Sequence, residues 1–134
     1  MSFRFQNALS EKETLLLNAL QLAYLGDSVW EVLVREELIH RGLNVHHMHT
    51  ACVGFVSASA QASILDRIVN DLNDEEREVV RRGRNAHSRH PVPRHQSHED
   101  YSAATGFEAL IGFLYLTGQT VRLENLANII LGEH

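Results

Sequence analysis

Two acidic residues, Asp27 and Glu108, lie on faces of predicted helices that are otherwise apolar. Around Asp27, apolar residues recur at every third or fourth position, and Glu108 lies beside Phe107 within a second pattern of the same kind. A charged carboxylate is expensive to bury without a cation or hydrogen-bond donors, so each acid needs a partner. Asp27 is then either a metal ligand or a structural residue that is hydrogen-bonded beside a close-packing point at Gly26. The pattern around Asp27 favours neither alternative.

The two acids form a candidate metal site if their helices touch, because adjacent carboxylates repel unless they share a proton or a cation. A ligand set of carboxylate oxygens suits Mg²⁺ or Mn²⁺, which keep several waters and leave positions open for a phosphate. Such an ion polarises a phosphodiester and supplies a hydroxide nucleophile. Periodicity also allows a second interpretation, in which an inward-facing acid hydrogen-bonds to the end of a helix.

Arginines are concentrated in residues 77–94, which hold six of the twelve Lys and Arg residues and one acid, Glu78. Since the whole chain has a net charge of −5, any affinity for nucleic acid must come from such a local cluster. Arginine forms forked contacts with phosphate, and the prolines of the segment predict an exposed loop over residues 84–96. The alternative is an ordinary solvated loop. The predicted phosphate-binding residues are Arg81, Arg82, Arg84, Arg89 and Arg94.

The elements that position these residues are all predicted helices. A capping-box pattern, Ser10 with Glu13, precedes one long helix that continues to about residue 40. A second capping pattern, Asn73 with Glu76, starts a shorter helix that Gly83 is predicted to end. No strand pattern or repeat is present, so the predicted class is all-α, with a single domain over residues 1–134. The predicted helices cover about residues 14–40, 50–71, 73–82, 97–117 and 120–131.

Composition is typical of a soluble globular protein. The 134 residues are 44% hydrophobic and 22% charged, and no apolar run reaches membrane-spanning length. The first residues, MSFRFQNALSEKE, lack the apolar core of a secretory signal. Cys52 is the only cysteine, which excludes an internal disulfide and a cysteine-rich zinc site. We therefore expect a cytoplasmic protein with no membrane partner.

Several stretches of the chain resemble the motifs of one enzyme family. LAYLGDSVWE, which contains Asp27, resembles the signature helix of the ribonuclease III catalytic domain, and TGFEALIGFLYL, which contains Glu108, resembles its second metal-binding helix. FVSASAQASIL resembles the segment between them. The run RRGRNAHS, Tyr101 and the order of the segments resemble more closely Mini-ribonuclease III, the bacterial branch with no double-stranded-RNA-binding domain. The resemblance spans nearly the whole chain and implies a ribonuclease III endonuclease-domain-like helical bundle.

The resemblance also implies roles for particular residues. Asp27 and Glu108 match the two metal-linked acids, whereas Ala23 and Thr105 stand where larger family members have two further acids. Glu31, one turn beyond Asp27, either supports the site or faces solvent or a dimer partner. The implied protein is a homodimer that uses Mg²⁺, or Mn²⁺, to hydrolyse double-stranded RNA to 5′-phosphate and 3′-hydroxyl ends. Members of the branch mature the 23S ribosomal RNA precursor, and a large-subunit ribosomal protein is a candidate partner.

Two other functions stay open on the sequence. The missing acids at Ala23 and Thr105 would suit a catalytically inactive RNA-binding module with the same fold. The run HHMH, which holds His46, His47 and His49, would suit a helical interaction protein that binds a transition metal.

The homodimer has separate support from the first long helix. This helix carries more apolar residues than the face around Asp27 accounts for, so one small domain leaves some of them uncovered. The residues predicted to lie off that face are Leu15, Leu17, Leu22, Leu25, Val29, Val32 and Leu33.

Overall fold

The computed structural model describes residues 8–86 and 97–132. Within these two ranges every regular element is helical, which confirms the predicted all-α class. Seven α-helices follow one another there, and a 3₁₀ turn, Val69–Asp71, comes after the fourth. The α-helices are α1 (Glu11–Leu15), α2 (Ala19–His40), α3 (Val45–Val56), α4 (Ala58–Ile68), α5 (Asp74–Asn85), α6 (His98–Leu116) and α7 (Thr120–Leu131).

Helix α6 lies at the centre of the bundle and packs against α2, α4 and α5. Residues 103–114 of this helix are all buried except Glu108, which is half-buried. A helix that is apolar on every side needs neighbours on every side. One of these contacts joins Trp30 of α2 to Phe107 of α6, edge to face, with the ring centroids 5.0 Å apart. The central position of α6 therefore places Glu108 inside the bundle.

Two glycines bring α2 and α6 into backbone contact. A Cβ atom on Gly26 would lie 1.7 Å from the carbonyl oxygen of Glu108, and one on Gly112 would lie 2.0 Å from the carbonyl oxygen of Leu22. Neither position accepts a side chain unless a helix moves. Because Asp27 follows Gly26 in the chain, this close approach sets Asp27 beside Glu108.

The predicted long first helix is two helices, so that prediction is wrong. The capping box of Ser10 and Glu13 starts only the five-residue α1, and a second capping box, Asn18 with Gln21, starts α2. The Asn18 side chain accepts a hydrogen bond from a backbone N–H of the first turn, which begins a new helix although the apolar periodicity continues. Leu16, between the two helices, is 81% exposed and not on the inward face.

The predicted second helix is also two helices. Helix α3 begins earlier than predicted because Asn44 caps it, and its axis is bent by 57° from that of α4 with its 3₁₀ turn. Ser57 separates the two with extended backbone, and its hydroxyl accepts a hydrogen bond from an N–H of α4. The Trp30 indole donates to the carbonyl of Phe55, 2.9 Å away, near the end of α3. This bond satisfies one of the carbonyl groups that a helix end leaves unpaired.

Helix α5 continues through Gly83 to residue 85, so the predicted helix end at residue 82 is wrong. Gly83 is a packing residue, because a Cβ atom there would lie 2.8 Å from the Cα of Gly106 on α6. On the same helix, Glu76 is 1% exposed and accepts two 2.7 Å hydrogen bonds from Arg122 of α7. Burial alone would raise the pKa of Glu76, but hydrogen bonds from Arg122 and a backbone N–H outweigh it and lower the pKa.

The last two predicted helices are confirmed. Ser97 caps α6, and Gly118 follows its end with φ +69°, a conformation that favours glycine. Helix α7 covers the predicted residues 120–131. Among residues 8–86 and 97–132, no single helix is long and apolar enough to cross a membrane, and one bent pair, α3 with α4, meets the length and composition criteria.

Candidate active site

Asp27 and Glu108 meet where α2 crosses α6. The backbone contact at Gly26 brings their carboxyl groups within hydrogen-bonding reach of each other. Burial, followed by the hydrogen bond and the charge of Asp27, raises the pKa of Glu108 to about 8. At neutral pH and without a cation, Glu108 therefore keeps its proton and the pair avoids two adjacent negative charges.

Asp27 itself is exposed, so the expectation that its carboxylate is buried is wrong. Asp27 is nevertheless in register with three buried residues of α2, namely Ala23, Trp30 and Val34, as the spacing predicted. The pair thus has one half-buried member, Glu108, and one member open to solvent. This arrangement lets a substrate reach the site from the side of Asp27 while the protein holds Glu108.

A third polar group, Gln61 of α4, was not predicted from the sequence. Gln61 is 1% exposed, and its Nε2 lies 3.5 Å from Oε2 of Glu108. By donating to the carboxyl group, Gln61 favours its charged form and works against the rise in the pKa of Glu108. The signal was present, because Gln61 shares the buried face of α4 with Ala58 and Ile64. A polar residue on an apolar face is the same pattern that singled out Asp27.

The site is suited to a hard divalent cation. Its two carboxyl groups offer only oxygen donors, and a cation between them would take over from the proton in relieving their repulsion. In the part of the chain that the structure describes, no three His, Cys, Asp or Glu residues are grouped as metal ligands. The protein would therefore supply Asp27 and Glu108, and water or phosphate would fill the other positions, an arrangement that Mg²⁺ commonly adopts.

The residues one turn from the two acids do not add a further carboxylate ligand to the site. Ala23, one turn before Asp27, is buried, and the hydroxyl of Thr105 donates to a backbone carbonyl 3.1 Å away on its own helix. Glu31, one turn after Asp27, forms an ion pair with Arg35 at 3.0 Å. The carboxylate of Glu31 is therefore paired within α2 and not directed to Asp27 by any contact that the structure shows.

Two of the predicted phosphate-binding arginines, Arg81 and Arg82, lie near the C-terminal end of α5. Arg81 donates from Nε to Oε2 of Glu78 on the same helix, at 2.8 Å. Arg82 is half-buried and donates from Nη2 to the carbonyl of Leu17, 2.8 Å away. Arg82 thus attaches α5 to the segment between α1 and α2, a structural role that the sequence did not predict.

Arg84 also lies on α5 and not in a loop, so the predicted start of the loop at residue 84 is wrong. Its side chain packs near α6, since a Cβ on Gly106 would lie 3.2 Å from Cγ of Arg84. Arg89 and Arg94 lie outside the described residues. So do His87, His90, His95, Pro91 and Pro93.

The histidine run lies on α3. The rings of His46 and His47 are 5.7 Å apart and tilted. Over residues 8–86 and 97–132, these histidines belong to no group of three metal-binding side chains. The hypothesis of a transition-metal site therefore has no support from the described structure.

Comparison with known proteins supplies the family. A family model described as the ribonuclease III domain matches residues 20–119, a range that includes Asp27, Gln61 and Glu108. The chain belongs to the ribonuclease III family. Ribonuclease III membership supports endonuclease activity on double-stranded RNA and dependence on a divalent metal.

Relatives within the ribonuclease III family match most of the chain. Mini-ribonuclease 3 of Symbiobacterium thermophilum is 47% identical over 84% of this chain and 86% of its own length. Mini-ribonuclease 3 of a Thermoanaerobacter species is 39% identical over 96% of this chain and 92% of its own length. A crystal structure of a protein from Fusobacterium nucleatum matches with a TM-score of 0.79 and 30% identity, over 87% of this chain and 93% of that one. The resemblance to Mini-ribonuclease III and the ribonuclease III-like fold are confirmed.

Proposed function

We propose that this protein is a Mg²⁺-dependent endoribonuclease that hydrolyses double-stranded RNA, with Asp27 and Glu108 as its catalytic pair. The observation that carries the proposal is the meeting of these two carboxyl groups at the crossing of α2 and α6, with the pKa of Glu108 raised to about 8. Acids with perturbed pKa values at an open face are typical of catalytic sites. The family match over residues 20–119 supports the same class of reaction.

Asp27 and Glu108 would hold Mg²⁺, or Mn²⁺ in its place. When bound, the ion supplies polarisation of the phosphodiester and a more acidic water as nucleophile. Glu108 must release its proton before it can act as a ligand, so binding of the ion becomes easier as pH rises toward 8. Attack of water on phosphorus with loss of the 3′ oxygen leaves a 5′-phosphate and a 3′-hydroxyl.

The predicted phosphate-binding arginines, Arg81, Arg82, Arg84, Arg89 and Arg94, would hold the RNA. Arg81 and Arg84 lie on α5, which packs against the same central helix that carries Glu108. Arg82 has one hydrogen bond to Leu17, and its remaining donors would be shared with phosphate. Arg89 and Arg94 stay predictions. A-form RNA is recognised mainly through shape, phosphates and 2′-hydroxyls, so a cationic surface with no base-reading motif is sufficient.

We further propose a homodimer formed through an exposed apolar surface at the start of α2. Tyr24 is 85% exposed and Leu16 is 81% exposed. Asn18, Leu20 and Gln21 line, together with Tyr24, an open depression on this surface. Exposed apolar surface of this kind is typical of protein interfaces.

This surface differs from the one that the sequence predicted. Of the seven predicted residues only Val32 is exposed, and Leu15, Leu17, Leu25 and Leu33 are partly buried against the core. Leu22 and Val29, which were predicted to lie off the buried face, are in the core of the chain itself. Tyr24 lies one turn before Asp27, so a partner on this surface would bring a second active site nearby. Sedimentation velocity at micromolar concentration should show a dimer, and Tyr24→Glu should shift it toward monomer. If the parent protein sediments as a monomer, the proposed homodimer is wrong.

The finer assignment of substrate and location rests on the resemblance to Mini-ribonuclease III. We take the 23S ribosomal RNA precursor as the substrate, the cytoplasm as the location and a large-subunit ribosomal protein as a candidate partner. Cleavage of a precursor transcript, with the new ends mapped, tests the substrate. Repeating the reaction with purified large-subunit proteins tests the partner.

Labelled double-stranded RNA separates the proposed enzyme from an inactive RNA-binding module. In Mg²⁺ we expect cleavage by the parent protein and none in EDTA, and Asp27→Asn should bind the RNA without cutting it. The inactive module, which Ala23 and Thr105 keep open, predicts binding without cleavage by the parent protein in either Mg²⁺ or Mn²⁺. That result would overturn the proposed activity.

A further inference from the structure

Gln61 differs from the other buried polar residues in the choice of its partner. Four polar or charged residues are buried among those that the structure describes, and three have structural partners. Thr14 and Thr105 donate to backbone carbonyls of their own helical segments, and Glu76 pairs with an arginine of α7. The side-chain amide of Gln61 instead lies 3.5 Å from the carboxyl group of Glu108.

Burial of a glutamine is unfavourable unless its amide forms hydrogen bonds that offset the cost. The side chain loses several rotatable bonds of freedom, and its polar atoms lose water. An apolar residue would fill the same position on α4, where the other buried residues are Ala58, Ile64, Leu65 and Ile68. Helix α4 packs against α6, and this packing brings the amide to Glu108.

We propose that Gln61 is a positioning residue, which holds the carboxylate of Glu108 in the orientation that lets it bind a divalent cation together with Asp27. The inference rests on the proposed function. Glu108 has three side-chain torsions, and a bond from a different helix restricts them. A carboxylate accepts several hydrogen bonds, so the contact with Gln61 leaves room for ligation.

The chemistry of the amide suits this role better than that of a charged side chain. A lysine or arginine at this position would compete with the metal ion for the carboxylates. A glutamate would add a third negative charge to a pair that already repels. The neutral amide donates a hydrogen bond and adds no net charge, as the partners of metal-binding carboxylates often do.

The test compares Gln61→Met with Gln61→Asn and a control, Thr14→Val. Methionine keeps nearly the same length and removes the donor, asparagine keeps the amide but shortens its reach, and Thr14 is an equally buried residue in α1, outside the site. Mn²⁺ affinity of the protein alone is measured from the electron paramagnetic resonance signal of free Mn²⁺. The kcat and KM for double-stranded RNA are measured in parallel.

We expect Gln61→Met to weaken Mn²⁺ binding and to lower kcat, each by about 10- to 100-fold, with little change in KM for RNA. Gln61→Asn should change both in the same direction, and Thr14→Val should lower only the melting temperature. A folded Gln61→Met protein with parental Mn²⁺ affinity and kcat would overturn the inference, and if it fails to fold, the same criterion applies to Gln61→Asn. A parent protein that neither binds Mn²⁺ nor cleaves RNA would instead remove the proposed function, and this inference with it.

Discussion

Glu108→Gln should stabilise the metal-free protein at alkaline pH. Burial and Asp27 raise the pKa of Glu108 from an ordinary 4.5 to about 8. Between these values the folded state keeps a proton that the unfolded state has lost, so the free energy of unfolding falls as pH rises. The full loss is about 5 kcal/mol, at about 1.4 kcal/mol per pH unit, and about 3 kcal/mol of it falls between pH 5.5 and 8.5. Glutamine has no ionisable proton and escapes this loss.

Urea unfolding in EDTA at pH 5.5 and 8.5 measures the effect, at one protein concentration because a dimer would add a concentration term. The parent protein should lose about 3 kcal/mol more than Glu108→Gln between the two pH values. Every other ionisable group is common to the two proteins, so its contribution cancels in the difference. Mg²⁺ at pH 8.5 should restore stability to the parent and not to the variant. An identical pH dependence in the two proteins would refute the reasoning, because the titrating group would then lie elsewhere.

Gly26→Ala should lower the free energy of unfolding by at least about 3 kcal/mol, since its Cβ would overlap a backbone carbonyl of α6. The control is Gly54→Ala, at a helix position where no atom lies within 4 Å of the new Cβ, and urea unfolding should show its free energy of unfolding raised by about 0.5–1 kcal/mol. Equal changes in the two variants would contradict the close approach of α2 and α6. Glu76→Gln should cost about 3–5 kcal/mol in thermal unfolding by leaving Arg122 without its buried partner, and a loss below about 1 kcal/mol would argue against that pair. Arg84→Ala should flatten the slope of log affinity for double-stranded RNA against log salt by up to about one, measured by fluorescence anisotropy, and an unchanged slope would remove Arg84 from the RNA surface.

Residues that act within one helical turn could be interpreted from the sequence alone. Ser97 and Gly118 mark the ends of α6 because a capping side chain and a left-handed glycine act on adjacent backbone. The acids Asp27 and Glu108 stood out for a similar reason, since each interrupts a local apolar pattern. The all-α class followed from the same periodicity. Where two caps compete inside one apolar pattern, as at Asn18, periodicity alone joined two helices into one.

Tertiary packing decided what local pattern could not. Glycine is common just after the end of a helix, which made Gly83 a predicted helix end. Helix α5 nevertheless continues through it, and the glycine is needed because any side chain there would collide with Gly106 of α6. Gln61 reaches Glu108 from a position 47 residues earlier in the chain, and the pKa of Glu108 rises through burial and through Asp27 on another helix. These effects depend on distances between atoms that are far apart in the chain. Local patterns in the sequence were therefore sufficient to predict the helical class and to single out the two acids as candidates. The packing of α2 and α4 on α6 set the geometry of the two acids, because only that packing decides which side chains lose water and which come into contact.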